Sequence, residues 1–143
     1  MEGVSRLFGG MRIAATGMSA ERVRIDTVAR NIANSTVTRT ADGGPYKRQV
    51  VEFEPILLRL ADGREVNGGV RVRAVSNDEV SSFERIHDPG HPDADAGGWV
   101  TYPNVNATRE MADLITAVRA YEANIDVQEN FMRMADRALR LAQ

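Results

Sequence analysis

The sequence predicts an α+β protein that is mainly α-helical, in which long N- and C-terminal helices form a coiled-coil pair around a small middle insert rich in β-hairpins. Apolar residues recur seven positions apart near both ends of the chain, which is the spacing of a coiled-coil seam. Between these ends, short apolar stretches alternate with the Gly, Pro, Asn and Asp residues that form turns. We therefore expect an N-terminal helix over 1–36, a β-rich region over 37–105 and a C-terminal helix over 106–143.

The N-terminal helix is predicted from one apolar series. Phe8 occupies the second seam position, and Arg22 interrupts that position further along. Gly9, Gly10 and Gly17 each cost about 1 kcal/mol relative to Ala inside a helix, so this helix needs packing to be stable. The predicted seam residues that recur every seven positions are Val4, Met11, Met18, Ile25 and Ile32.

The C-terminal helix carries the longest apolar series in the chain. Neither Gly nor Pro interrupts it from Asn106 onward, and Asn106 is the predicted N-cap. Glu110 near its start and Arg140 near its end suit the helix dipole. At about 1.5 Å per residue the helix would be roughly 50 Å long. Its predicted seam residues are Met111, Leu114, Val118, Tyr121, Ile125, Met132 and Leu139.

The middle of the chain is predicted to form short strands joined by turns. The first helix should end near Asn34, where Asn, Ser and Thr replace the apolar series. Pro55 indicates an edge or a break in the first β stretch, and Asn67, Gly68 and Gly69 are predicted to form a turn. The four predicted β stretches are 46–60, 70–75, 80–86 and 99–102.

Composition excludes several classes of protein. The formal net charge is −2 and no run of Lys or Arg occurs, so a nucleic-acid-binding module is not expected. The chain has no Cys, which excludes disulfides, Cys metal sites and thiol nucleophiles. No apolar stretch approaches the roughly 20 residues of a membrane span, and direct membrane insertion is not expected. Arg6 and Arg12 interrupt any signal-peptide core, so no cleaved signal is expected.

Catalytic and metal-binding roles are weighed against simpler explanations. No nucleophile elbow or phosphate-binding Gly loop is present, so we expect neither an enzyme nor a cofactor. Pro and Gly separate the cluster of possible metal ligands in a manner typical of turns, and no metal site is predicted. An EF-hand starting at Asp93 is rejected because Asn104 occupies the position of the bidentate Glu. The possible ligands are His87, Asp88, His91, Asp93 and Asp95.

Several sequence blocks resemble the bacterial flagellar axial proteins, the rod and hook family. The block at the end of the first predicted helix resembles the signature of that family and consists of Asn31, Ile32, Ala33 and Asn34. Similar blocks follow at 44–48, at Asp88, Pro89, Gly90, His91 and Pro92, at 99–106, and at Tyr121, Glu122, Ala123 and Asn124. The resemblance covers nearly the whole chain. Arg30 departs from it, since a small or polar residue is expected there.

The resemblance implies a structural subunit of the proximal rod of the flagellar basal body. Members of the family pack their terminal helices into a hollow helical tube that transmits motor torque, while the β-rich middle forms its outer layer. The implied partners are other rod proteins, further copies of the chain and the flagellar type III export apparatus. The rod of this family crosses the periplasm, and its subunits are exported without a cleaved signal. In such an assembly the predicted seam residues would form contacts within and between subunits.

Two other interpretations fit the residues. The seams could form only an intramolecular core, which is the ordinary role of amphipathic helices. The chain could also be a cytoplasmic coiled-coil adaptor or an export chaperone that acts as a discrete dimer. A dimer of that kind would protect both ends of the chain, whereas an isolated axial subunit would leave its seams without partners.

Overall fold

The computed structural model describes the backbone of residues 2–60 and 63–141 and the side chains of residues 8–60 and 63–140. The elements occur in the predicted order of helix, β segments and helix. They are α1 (Glu2–Ala33), β1 (Gln49–Arg59), β2 (Glu65–Asn77), β3 (Glu84–His87), β4 (Trp99–Tyr102) and α2 (Ala107–Leu141). The first predicted seam residue, Val4, has a side chain that lies outside the described residues.

One polar residue at the end of α1 and another at the start of α2 satisfy free backbone groups. The Nδ2 atom of Asn34 donates to the carbonyl oxygen of Arg30 at 2.8 Å, directly after the last residue of α1. At the start of α2, the Oδ1 atom of Asn106 accepts a hydrogen bond from the backbone N–H of Arg109 at 3.0 Å. This bond confirms the predicted N-cap, which satisfies one of the donors that the first turn leaves unpaired.

Strands β1 and β2 form one antiparallel hairpin. Their register runs from the pair Gln49 and Asn77 to the pair Arg59 and Glu65, with irregularities on either side of the segment 53–55. Each strand has only one hydrogen-bonded neighbour among the described residues, so Pro55 lies on an edge strand, as predicted. Strands β3 and β4 form a second, shorter antiparallel pair.

The predicted turn at 67–69 is wrong, because these residues lie inside β2. Gly69 has a φ of 125°, and a Cβ atom at this position would overlap the side chain of Thr16 on α1. The hydroxyl of Thr16 instead accepts a hydrogen bond from the backbone N–H of Val70 at 3.2 Å. Glycine is needed here because the helix and the strand approach each other closely. Glycine is also common in turns, and the sequence pattern did not distinguish the two roles.

The two helices pack side by side in opposite directions. Residues late in one helix contact residues early in the other. The contacting pairs are Asn31 with Glu110, Arg24 with Asp113, Gly17 with Asn124, and Gly10 with Phe131. Within the described residues, no helix is long and apolar enough to cross a membrane.

The predicted coiled-coil pair is wrong. The contact positions at Gly10, Gly17 and Asn31 fall one residue before the predicted seam positions, and the same offset separates contacting Glu110 from predicted Met111. Apart from Phe131, these contacts join small and polar residues, whereas a coiled coil packs apolar side chains into holes of the facing helix. The shared heptad period correctly indicated two long helices, but a rotation of one residue moves most predicted seam side chains to the flank or to the surface.

The buried apolar core within the described residues is small. It consists mostly of short side chains along the inner faces of the two helices, together with one residue of β4. Its members are Ala14, Ala20, Val28, Val100 and Ala117. Such a core leaves little apolar burial per residue, so the buried polar contacts near the junction of α1, β1 and α2 carry unusual weight.

Candidate assembly surface

Asn31 joins three segments of the chain from a fully buried position. Its Nδ2 atom donates to the carbonyl oxygen of Gln49 at 2.8 Å and to Oε2 of Glu110 at 3.0 Å. Its Oδ1 atom accepts from the hydroxyl of Tyr46 and from the backbone N–H of Gln49, both at 2.9 Å. All four hydrogen-bonding sites of the amide are therefore used, as a side chain with 0% exposure requires.

Glu110 is also fully buried, and its charge is balanced by Arg48. The Nε atom of Arg48 donates to Oε1 of Glu110 at 2.7 Å, and its Nη1 atom lies 3.3 Å from Oδ2 of Asp78. Burial lowers the pKa of Arg48, but the hydrogen bonds and charges of Glu110 and Asp78 outweigh it and raise that pKa above its usual value. The pKa of Tyr46 is raised as well, and for this hydroxyl burial is the main cause.

Asn104 fastens the segment before α2 to the end of the hairpin. Its Oδ1 atom accepts from the backbone N–H of Arg48 at 2.8 Å, and its Nδ2 atom donates to the carbonyl oxygens of Asp78 and Ser81. Residues from the family-like blocks, namely Asn31, Arg48 and Asn104, thus meet in one place. We call this set of Asn31, Tyr46, Arg48, Gln49, Asp78, Asn104 and Glu110 the junction network.

Asp78 makes the junction network sensitive to acid. Hydrogen bonds from the backbone N–H and hydroxyl of Ser81, from the N–H of Val80 and from Arg48 lower the pKa of Asp78 from 3.8 to about 2. The folded state therefore binds its proton less readily than the unfolded state does, so this carboxylate stabilises the fold fully above about pH 4. The contribution decreases as the pH falls below that value and is lost below about pH 2.

We expect Asp78→Asn to lower the free energy of unfolding at neutral pH, with a difference from wild type that disappears as the pH falls toward about 2. Urea unfolding followed by circular dichroism across this range measures it. Glu79→Gln changes a neighbouring exposed carboxylate and is the control, for which we expect little change at any pH. A wild-type minus Asp78→Asn difference that is constant with pH would contradict this explanation.

The structure places the predicted seam residues beside the line of contact between the helices. Phe8, Met111, Met132 and Leu139 are exposed, with 62%, 52%, 56% and 68% of their surface accessible. The half-buried members are Met11, Met18, Ile25, Ile32, Leu114, Val118, Tyr121 and Ile125. On α2, the exposed members lie within roughly 80° of the helix circumference and form a stripe that also contains the exposed Glu122 and Glu129.

The sequence prediction missed several exposed apolar residues that enlarge this surface. Ile115 lies on the same stripe of α2 as Met111, while Val127 and Met134 extend the apolar character to other sides of the helix. Phe53 and Leu57 are exposed on the hairpin. The signal was present in the sequence as large apolar residues outside the heptad positions. We call the exposed Met111, Ile115, Met132 and Leu139 the α2 stripe.

The family-like block at 121–124 contributes to helix packing in part. Asn124 contacts Gly17, where an added Cβ would lie 2.9 Å from its Oδ1 atom. Tyr121 is half-buried, whereas Glu122 and Ala123 are exposed. At the end of α1, Ala33 is exposed and Asn34 is half-buried beside the last turn.

The block Asp88, Pro89, Gly90, His91 and Pro92 lies in the loop that joins β3 to β4. His91 accepts a hydrogen bond at Nδ1 from the backbone N–H of Asp93, and Asp88 accepts one from Gly90. Asp95 accepts hydrogen bonds from the N–H groups of Trp99 and Gly97, which lower its pKa. Over residues 2–60 and 63–141, no group of three or more His, Asp or Glu is placed to hold a metal ion.

Comparisons with known proteins identify two family segments in the chain. The family described as Flagella basal body rod protein matches residues 11–39, and the family described as Flagellar basal body rod FlgEFG protein C-terminal matches residues 96–141. The two matches cover most of α1 and α2. They include Asn31, Asn104 and Glu110 of the junction network.

Curated relatives match over most of their length. Flagellar basal-body rod protein FlgC of Borreliella burgdorferi is 40% identical, with 96% of this chain and 98% of the relative aligned. The Aquifex aeolicus protein of that name is 44% identical over 83% of this chain and 84% of the relative. The Bacillus subtilis protein is 33% identical over 95% of this chain and 98% of the relative. The chain therefore belongs to the FlgC family of flagellar basal-body rod proteins, and it is a structural subunit of the basal-body rod.

Proposed function

We propose that the chain polymerises with homologous axial proteins and further copies of itself into the hollow proximal rod. In this proposal α1 and α2, with the flanking residues of 1–36 and 106–143, form the tube, and the region 37–105 forms its outer layer. The subunit transmits motor torque, carries no catalytic activity and leaves the cell through the flagellar type III apparatus without a cleaved signal.

The observation that carries the proposal is the surplus of accessible surface. The chain exposes 10093 Å². A compact monomer of 15.7 kDa would expose about 7,300 Å². The exposed apolar side chains include the α2 stripe and Phe53 and Leu57 of the hairpin, and exposed apolar surface is typical of sites that other molecules cover.

Filament geometry explains why the apolar surface lies on long helices. Contacts between different surfaces of successive subunits generate open helical assemblies when the rotation between subunits does not close a ring. A long helix offers such contacts along its whole length, and torque must pass through each of them. The predicted alternative of a discrete coiled-coil dimer needs an apolar heptad seam, whereas the heptad-spaced contacts of the observed helix pair join mostly small and polar residues.

Isolation of basal bodies from cells tests the proposal. We expect a tagged copy of the chain to remain with the detergent-extracted basal body, and we expect deletion of the gene to leave basal bodies without a rod and cells without motility. Recovery of the tagged protein only in the soluble fraction, with intact rods in the deletion strain, would contradict the proposal.

A further inference from the structure

A groove of about 450 Å³ lies where the hairpin of β1 and β2 crosses α1. Its lining residues on α1 run from Arg12 to Val23, so it follows about 16 Å of the helix. Ser19 also lines the groove and is exposed, so the groove is open to solvent. The apolar lining residues are Ala15, Ala20 and Val23 of α1 and Ile56, Val70 and Val72 of the hairpin.

The groove and the α2 stripe both face away from the contact between the two helices. The groove residues lie roughly 100° around α1 from the residues that contact α2, which are Gly10, Gly17 and Asn31. The α2 stripe lies roughly 100° or more around α2 from the contact residues Glu110 and Asn124. The stripe of one chain therefore cannot enter the groove of the same chain, but it can enter the groove of another copy.

The two surfaces carry unpaired charges of opposite sign. Arg12 is exposed at one end of the groove and makes no ion pair with the side chains that the structure describes. Arg71 lies on the hairpin wall of the groove and pairs with Glu54. Glu122 and Glu129 are exposed in the middle of the α2 stripe, and neither makes an ion pair within the described part of the chain. The unpaired charge is thus positive at the groove and negative on the stripe.

We propose that the groove receives the α2 stripe of a second copy of this chain. The proposal rests on the proposed function, since copies lie side by side only in the assembled rod. An amphipathic helix binds an apolar groove through residues three, four or seven positions apart, and Met111, Ile115 and the half-buried Val118 have this spacing. An acidic residue of the stripe would pair with Arg12, and this pairing would fix the register of the two copies.

The exposed area of the chain is sufficient for such contacts. The chain exposes 10093 Å², which is about 2,800 Å² more than a compact monomer of its mass would expose. A specific interface covers about 600 to 1,000 Å² on each partner. Each copy offers one groove and one stripe, so it would lose about twice that area in the assembly. Because the two surfaces differ, the contact repeats from copy to copy and generates an open chain of subunits.

Engineered cysteines test this contact, because the chain has no cysteine of its own. A disulfide requires Cα atoms about 4.4 to 6.8 Å apart. Ser19→Cys in the groove is combined in separate strains with Met111→Cys, Ile115→Cys or Met132→Cys on the stripe. We expect oxidised basal bodies from at least one strain to give bands of two, three and more copies on non-reducing gels. Ser19→Cys with Ala123→Cys, which is exposed on another side of α2, is the control and should remain monomeric.

Reversal of the charge at Arg12 tests the pairing independently. Arg12→Glu places acidic groups on both surfaces, so we expect at least a tenfold decrease in the amount of the chain incorporated into isolated basal bodies. Because Arg12 is exposed, the purified variant should unfold at the same urea concentration as wild type. A second substitution in the same chain, Glu122→Arg or Glu129→Arg, should restore incorporation.

The outcomes separate this proposal from the proposed function. Normal incorporation of the cysteine variants without any band above the monomer would overturn the groove contact and leave the proposed function standing. Equal crosslinking of the control with Ala123→Cys would overturn it too, as would a defect of Arg12→Glu that neither acidic-to-basic substitution restores. Absence of the tagged wild-type chain from basal bodies would instead contradict the proposed function.

Discussion

Replacing Glu110 with Ala is expected to lower the free energy of unfolding by about 3 to 5 kcal/mol. The substitution removes one partner of Asn31 and the shortest ion pair of Arg48, whose half-buried guanidinium group keeps only longer contacts, the nearest of them with Asp78. Because domains are stable by only about 5 to 15 kcal/mol, this loss would remove a large share of the stability of the fold. Urea unfolding of the purified variant, followed by circular dichroism, measures the change.

Two control substitutions distinguish loss of the network from loss of any carboxylate on α2. Glu122→Ala removes an exposed carboxylate from the same helix, and we expect a change within about 0.5 kcal/mol. Glu110→Gln retains an acceptor for one of the two donors and should be intermediate. If Glu110→Ala is no less stable than Glu122→Ala, the junction network does not hold the helices and the hairpin together.

The junction network could be predicted from the sequence only in part. Asn31, Tyr46, Arg48 and Asn104 lie in blocks that resembled the flagellar axial family, but their side chains meet only after the chain has folded back on itself. The burial of Glu110 was not predicted, because a Glu in the first turn of a helix ordinarily faces solvent and interacts with the helix dipole. Burial of a charge depends on partners distant in sequence, and no local pattern reports it.

The positions of the helices were easier to predict than their packing. Uninterrupted apolar periodicity and the Asn106 cap predicted α2 with nearly its observed bounds. The same periodicity placed the seam at Met111, whereas the contacting residue is Glu110. Residues next to each other on a helix can carry the same seven-residue repeat, so the period identifies the helix without fixing the side that faces its partner.

Replacing Met132 with Asp is expected to abolish rod assembly and swimming while leaving the isolated subunit folded. Met132 belongs to the exposed α2 stripe, so the free energy of unfolding should change by no more than about 1 kcal/mol. A carboxylate at that position would have to lose its water in a packed interface, which costs several kcal/mol without a partner. Rod incorporation, swimming in soft agar and the amount of exported subunit are the three measurements.

Asn130→Asp is the matched control for Met132→Asp. It adds the same charge two residues away on α2, and its new carboxylate can still accept the hydrogen bond that Asn130 receives from Arg133. We expect this variant to assemble and swim normally. Normal swimming of Met132→Asp, or equal loss in both variants, would contradict a specific role for the apolar stripe.

A map of the intact basal body that resolves side chains tests the central claim most directly. The account predicts that side chains of neighbouring subunits cover Met111, Ile115, Met132 and Leu139, which are exposed in the isolated chain. It would be contradicted by a rod in which these residues face water while the subunits contact one another through other surfaces.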